Sequence, residues 1–396
     1  MEAIRFRALN ASAINFAMPE MQMGVRMDEV LGGEPGEKRM RMGYYRAPRA
    51  IEYEADGGVR FTVIAPEAKS VEVAGRAGTT WGTERHALTR GEDGTWSAVI
   101  RGIPAGFQYM SYFIDGVETL YPRAPIGYGY GFAVNFVDIP APDGDFYAVK
   151  DVPHGAVRQE FYPSTLTGKL RSCWVYTPPA YDTTPEKKYP VWYVQHGGGE
   201  NETGWFWQGK LNFILDNLIA EGKCEEMIVV ANAGYAFTPE RDEETFLPGD
   251  LGQLLRQDCI PFIEQRFRVL ADKDHRALSG LSMGAYQTQW EVYNHPEVYS
   301  YAGVFSGNCV DSRGRDAREY DTFQFLTPEN AGNLNRNLKL LFFGRGLQEG
   351  GEKLPGEVEE LHRRGIRAEY FVCEGVHEWQ VWRKTAHCFA QKLFKD

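Results

Sequence analysis

The chain has 396 residues, 43% of them hydrophobic, so it is too long for one average domain and can bury at least one large core. Its 43 Lys and Arg against 54 Asp and Glu leave a net charge of −11, which argues against a nucleic-acid backbone or an anionic membrane as main partner and for a neutral ligand. No apolar run approaches a membrane span, and the six cysteines stand singly without metal-ligand spacing, so they read as small buried hydrophobes and no metal is expected.

Residues 1–50 read as an N-terminal arm, methionine-rich between Met18 and Met42. The start "MEAIRFRALN" lacks the basic-then-apolar build of a secretory signal, which reads as cytoplasmic unless a signal was removed. Residues 51–144 then follow a period of two. In "VRFTVIAP", Val59, Phe61 and Val63 alternate with Arg60 and Thr62, and "VEVAG", "TWSAVI" and "FQYMSYFIDG" continue as short runs broken by Gly, Pro and Asp. Asp115-Gly116 is a hairpin signal, and strands at this spacing predict an immunoglobulin-like β-sandwich.

After "DIPAPDGDF" the texture changes, and residues 145–396 read as an α/β domain. The apolar strands "SCWVYTPP", "YPVWYVQHG", "MIVVANAG" and "LKLLFFG" alternate with helical stretches, which predicts a mainly parallel sheet covered on both faces. Leu211, Ile214, Leu215 and Leu218 form one helical stripe. A second helix carries Leu251, Leu254, Leu255, Cys259, Phe262 and Ile263 behind Asp250, a candidate N-cap, and Pro261 should kink it.

Within this half, "HRALSGLSMGAYQTQW" sets Ser282 between Gly280 and Gly284 on a strand-to-helix turn, the geometry of an exposed nucleophile. The turn aims the Met283 N–H and the positive end of the helix at the serine oxygen. Strand "YPVWYVQ" runs into His196 and Gly197 to Gly199, where Gly198 and Gly199 can turn backbone N–H groups toward a developing oxyanion. An α/β-hydrolase needs an acid after its serine and a histidine last. Of eight histidines, His377 in "FVCEGVHEWQVW" lies past the final strand-like run and ahead of a C-terminal helix. For the acid, Glu349 follows strand "LKLLFFG", with Glu352 and Asp311 as rivals. Trp205, Trp207, Tyr235, Phe237 and Trp379 stand beside these segments, where rings can hold a flat acyl group or a sugar; packing is the alternative for each. Tyr128 and Tyr130 in "PIGYGYGF" could serve a glycan, pack structurally, or form a wall of the cleft.

"YPVWYVQHGGGENETGW", "KLNFILDNLIAEGK", "HRALSGLSMGAYQT", "GVFSG" and "GVHEWQVWR" together resemble the feruloyl and acetyl-xylan esterases of carbohydrate esterase family one, esterase D-like α/β-hydrolases, over residues 152–394. "VRFTVIAPEAKSVEVAG" and "EDGTWSAVIRGIPAGFQYMSYFIDGVETLYPR" resemble the sandwich of family 48 carbohydrate-binding modules. The resemblance implies Ser282 as nucleophile, His377 as base, and Met283 with the Gly197 to Gly199 run as oxyanion donors. The family's acid closes a Gly-Thr-x-Asp motif; here "GLQE" offers Glu349 instead, and Ala285 replaces a common glycine. The implied substrate is a hydroxycinnamoyl ester such as ferulate on arabinoxylan, with no cofactor. Xylan deacetylation, siderophore-ester hydrolysis, acyl transfer to an acceptor other than water, and a glycan-binding protein with a vestigial hydrolase are the alternatives, and the oligomeric state is left open.

Overall fold

This computed structural model describes residues 49–239, 248–307 and 328–395, so the N-terminal arm up to residue 48 and the rival acid Asp311 lie outside the described residues. The chain divides into two compact units, Met1–Asp145 and Phe146–Asp396.

The first unit is a β-sandwich. One sheet pairs β1 (Ile51–Tyr53), β2 (Val59–Ile64), β5 (Thr89–Arg90) and β6 (Thr95–Ile100) in the order β1-β2-β6-β5. The other pairs β3 (Val71–Gly75), β4 (His86–Ala87), β7 (Gly106–Ile114), β9 (Ile126–Gly129) and β10 (Phe132–Ile139) in the order β4-β3-β7-β10-β9, with β8 (Val117–Thr119) against β7. Phe61 and Val63 from one sheet meet Val73, Tyr112 and Val137 from the other in a single core, all fully buried. Each such side chain contributes about 1.5–3 kcal/mol by leaving water. The expected hairpin stands at Asp115-Gly116, which join Ile114 to Val117 with φ of 51° and 80°. Positive φ at both central residues is the turn whose twist matches that of the strands.

The second unit carries one sheet of eight strands, introduced here in chain order: β11 (Ala156–Pro163), β12 (Leu170–Thr177), β13 (Val191–Gln195), β14 (Ile228–Asn232), β15 (Arg276–Leu281), β16 (Tyr301–Phe305), β17 (Leu340–Gly346) and β18 (Glu369–Cys373). Their spatial order is β11-β12-β14-β13-β15-β16-β17-β18. The six from β14 to β18 across the sheet are parallel, while β11 and β12 are antiparallel. Every residue of β13, β14 and β16 is buried, which is what unbroken apolar runs covered by helices on both faces require. The layers are built by α1 (Leu211–Ala220), α2 (Pro248–Leu254), α3 (Ile260–Arg266), α4 (Met283–Asn294), α5 (Pro328–Asn337), α6 (Leu354–Arg363) and α7 (Trp379–Ala390). In α1 the stripe Leu211, Ile214, Leu215 and Leu218 is buried, as its spacing predicts.

Two local expectations are corrected. Asp250 is not an N-cap: α2 already begins at Pro248, and Asp250 sits in its first turn, where a carboxylate still favours the positive helix end. Nor does Pro261 bring a simple kink. A π-helical turn, Leu255–Cys259, joins α2 to α3 directly ahead of the proline, where a wider turn suits a residue with no N–H to give. On this turn Asp258 accepts the hydroxyls of Ser164 (2.7 Å) and Thr165 (2.6 Å) and the Leu166 N–H (3.2 Å), tying it to the β11–β12 connection. The five described cysteines are free thiols, three buried and two half-buried.

Candidate active site

The chemistry-bearing residues gather at the C-terminal ends of adjacent parallel strands, where open α/β sheets place their ligands. Ser282 follows β15 and heads α4 with φ 53° and ψ −113°, a left-handed strain that non-glycine residues rarely hold. Its N–H donates to the Phe305 carbonyl at 2.9 Å, fixing it to the end of β16. The flanking glycines are needed for space: a Cβ on Gly280 would lie 2.4 Å from the Gly284 backbone, and one on Gly284 would lie 2.7 Å from the His196 carbonyl oxygen.

The loop after β13 runs alongside. A Cβ built on Gly197 would sit 3.4 Å from Ser282 Cβ, so the glycine run borders the serine directly. Its N–H groups have different fates. Gly197 N–H donates to Glu200 Oε2 at 3.1 Å. Gly199 N–H donates to the Tyr235 hydroxyl at 2.7 Å, so Gly199 is corrected from an oxyanion donor to an anchor of the loop. Gly198 is the exposed member, and it remains with Met283, the first residue of α4, as a backbone donor able to face a substrate.

Beneath this loop His196 is fully buried. Its Nε2 accepts the Gly234 N–H at 2.8 Å, which leaves the proton on Nδ1 to donate to the Gly197 carbonyl at 2.8 Å. Burial disfavours the charged imidazolium and pushes the pKa down to about 4. The folded value is below the unfolded value of about 6.5, so the unfolded chain takes up this proton first as pH falls. The stability involved is therefore complete above about pH 6.5 and is lost, by about 3 kcal/mol, on descending to about pH 4. Urea unfolding between pH 7 and 4 should show this slope, and it should be shallower in His196→Gln.

On the other side of the serine, Glu349 follows β17 and His377 follows β18. His377 Nδ1–H donates to Glu349 Oε2 at 2.7 Å; the carboxylate side chain is 11% exposed and the imidazole 46%. The second oxygen, Oε1, accepts the Gly346 N–H at 2.7 Å and the Ser306 hydroxyl at 2.6 Å. Their loops are laced together: Gln348 N–H donates to the Gly375 carbonyl at 3.0 Å, and Gly375 N–H to Gln348 Oε1 at 2.6 Å. Arg345, 5% exposed, braces the Glu349 loop by donating to the Gly307 and Gly350 carbonyls while forming a two-pronged pair with Glu357. The rival Glu352 sits in the following turn, Gly351–Lys353.

The aromatic candidates separate by burial. Trp205 and Trp379 are each 1% exposed and present no face to a ligand, which corrects their reading as substrate contacts. Trp205 Nε1–H donates to the Gln195 carbonyl at 2.8 Å, and Trp379 Nε1–H to Glu200 Oε1 at 2.9 Å. They form an edge-to-face series, Trp205 to Trp379 at 5.4 Å, Trp379 to Trp382 at 5.2 Å, and Trp382 to His377 at 5.1 Å, that backs the imidazole. Trp207 and Tyr235 are half-buried. Trp207 packs edge-on against Trp174, and Tyr235 stacks on Phe237 with centroids 6.1 Å apart.

Sequence reasoning overlooked Glu200, His196, Ser306 and Trp382. Trp382 carried a signal, lying three residues after Trp379 and so on the same helical face. Glu200 accepts from both the glycine loop and Trp379, a role that only the tertiary fold reveals.

The family described as a putative esterase matches residues 164–387, and carbohydrate-binding module 48, the isoamylase N-terminal domain, matches residues 49–120. An endo-1,4-beta-xylanase/feruloyl esterase of Xylanibacter ruminicola is 36% identical over 350 residues, 86% of this chain and 45% of that protein. Endo-1,4-beta-xylanase Y of Acetivibrio thermocellus is 30% identical over 225 residues, 50% of this chain and 20% of that protein. The chain thus spans less than half the length of these relatives. Among solved structures, a family-one ferulic acid esterase from Anaeromyces mucronatus in complex with ferulic acid has a TM-score of 0.54 at 23% identity, covering 64% of this chain and 96% of that one. Enterochelin esterase from Shigella flexneri reaches 0.64 at 15% identity, covering 89% and 97%. The second unit of this chain has the α/β-hydrolase fold and the first is similar to carbohydrate-binding module 48, and the chain belongs to the esterase family.

Proposed function

We propose that the protein is a serine esterase that releases hydroxycinnamic acids, ferulate foremost, from esters on plant cell-wall polysaccharide such as arabinoxylan. The observation that carries this reading is the paired acid and base, Glu349 to His377 at 2.7 Å, two and three strands along from a Ser282 held at φ 53° beside a glycine loop. His377 Nε2 takes the Ser282 proton, and the oxygen attacks the ester carbonyl while the Met283 and Gly198 N–H groups receive the oxyanion. The tetrahedral adduct collapses, breaking the bond to the sugar oxygen, which takes the proton from His377. His377 next deprotonates water, whose attack on the acyl-serine frees the acid and restores the serine. Glu349 keeps the imidazole in the right tautomer and balances its charge.

For the aromatic acyl group, support comes from the paired rings of Tyr235 and Phe237. The Tyr235 hydroxyl holds Gly199, so these half-buried rings lie next to the oxyanion loop. Trp207, also half-buried, stands eight residues after Gly199 in the sequence. Substrate preference is tested by measuring ferulate release from methyl ferulate and feruloylated arabinoxylan oligosaccharide beside acetate release from acetylated xylan and hydrolysis of a catecholate siderophore ester. Ferulate release ahead of both supports the reading; acetate release alone replaces it with xylan deacetylation.

The sandwich has a polysaccharide-binding role in this reading. A groove of about 270 Å³ is lined by Arg76, Ser111, Glu118, Leu120 and Phe132. Tyr130 and Phe132 are 41% and 46% exposed, and the Arg76 guanidinium lies 4.7 Å and 5.1 Å from their ring centres. Exposed rings beside a hydrogen-bonding ladder suit a sugar face and its hydroxyls. Tyr128 is half-buried, its hydroxyl donating to the Gly131 carbonyl at 2.8 Å. Replacing Tyr130 and Phe132 together with Ala should reduce retention on insoluble xylan about tenfold or more in a pull-down.

A further inference from the structure

Ser306 directly follows β16, immediately before Gly307, with φ 53°, a backbone state that favours glycine. The chain nevertheless keeps a hydroxyl there. Ser306 Oγ accepts the Trp382 indole N–H at 2.8 Å and donates to Glu349 Oε1 at 2.6 Å. Direction matters in this chain of bonds. An indole N–H can only donate, so it occupies the lone-pair side of the hydroxyl and leaves the hydroxyl proton to the carboxylate. With Gly346 N–H also on Oε1, that oxygen is held from two sides and Oε2 is left for His377.

We propose that Ser306 and Trp382 are positioning residues for the acid–base pair: Trp382 sets the Ser306 hydroxyl, and Ser306 sets the Glu349 carboxylate against His377. The proposal rests on the assignment of Ser282, His377 and Glu349 as the triad. Glutamate has one more rotatable bond than aspartate, and each free torsion lowers the fraction of time the carboxylate spends in the productive pose. Here the extra reach of Glu349 is matched by a pair of clamps on its far oxygen. Trp382 also meets the His377 ring edge-on at 5.1 Å and is 5% exposed, so one rigid side chain touches both ends of the arrangement.

The test is a double-mutant cycle read on 4-nitrophenyl acetate, with folding checked by circular dichroism. Ser306→Ala is expected to lower kcat by about 10- to 50-fold with KM within about twofold, because the lost contact serves the transition state more than ground-state binding. Ser306→Gly relaxes the backbone but lacks the hydroxyl, so it should lose as much activity as the alanine variant. Adding Ser306→Ala to Glu349→Ala should cost no more than about a further twofold, since the serine acts only through the acid. Trp382→Phe keeps an aromatic ring beside His377 but removes the N–H and part of the indole, and the share of its expected loss of about three- to fivefold that passes through Ser306, about twofold or more, should disappear when Ser306 is already Ala.

Wild-type kcat in Ser306→Ala overturns the proposal, as does a fully multiplicative loss in the double variant with Glu349→Ala. Recovery of activity in Ser306→Gly also overturns it, because the residue would then matter through its backbone. If Glu349→Ala itself keeps wild-type turnover, the failure lies in the triad assignment on which the proposal rests.

Discussion

Ser282→Ala is expected to lower kcat on any ester substrate by about 10⁴-fold or more, leaving the residual rate that the oxyanion donors and binding supply. The variant removes one oxygen at a turn whose backbone is set elsewhere, by the Ser282 N–H bond to Phe305 and the close crossing of Gly280 and Gly284. Fold and ligand affinity should therefore survive, and intact-protein mass spectrometry should find an acyl adduct in the wild type during turnover and none in the variant. Turnover at wild-type rate would remove Ser282 from the mechanism. A companion change separates function from stability. Ser282→Gly also loses activity, but at φ 53° it relieves strain of about 1 kcal/mol, so it should unfold at a higher temperature than Ser282→Ala.

Glu349→Gln should be the second most damaging single change, at about 10²- to 10⁴-fold in kcat. Size and shape are kept, but the amide can offer an N–H to His377 Nδ1 where the carboxylate only accepts. That stabilises the tautomer with its proton on Nε2, which cannot take the serine proton. Glu349→Asp retains the charge and shortens the reach, so it cannot hold Ser306 and Gly346 on one oxygen and His377 on the other; about a 10- to 100-fold loss is expected. Steady-state kinetics across pH 5 to 9 decide both cases. A wild-type profile in Glu349→Gln would return the role of the acid to another carboxylate.

What could be read from the sequence was what short segments determine on their own. The turn at Ser282 is written in two glycines bracketing a serine between a strand and a helix, and the order of serine, acid and histidine follows the strands they terminate. The β-sandwich was legible because alternation is a local pattern, as was the turn at Asp115-Gly116. What escaped depends on partners distant in the chain. The fate of the Gly199 N–H is decided by Tyr235, and whether Trp379 faces solvent is decided by the buried Glu200 that receives its indole. Proximity to His377 in sequence was a poor guide there, because α7 begins at Trp379 and turns that ring inward. The π turn ahead of Pro261 was hidden for a different reason: the proline shows that an ordinary helix is disturbed, without showing how the backbone absorbs it.

Glu200 has a consequence for how the site opens. Its two oxygens join the Gly197 loop to Trp379, the first residue of the helix that follows His377, 179 residues away along the chain. Both bonds end on one buried carboxylate, so freeing either loop takes a donor from a group held away from water. The two loops should therefore behave as one cooperative unit in the native-state ensemble, protecting the Gly197 amide and the Trp379 indole from exchange with the same opening free energy. A molecule built this way has few half-assembled states: the glycine loop and the His377 loop are in place together or absent together.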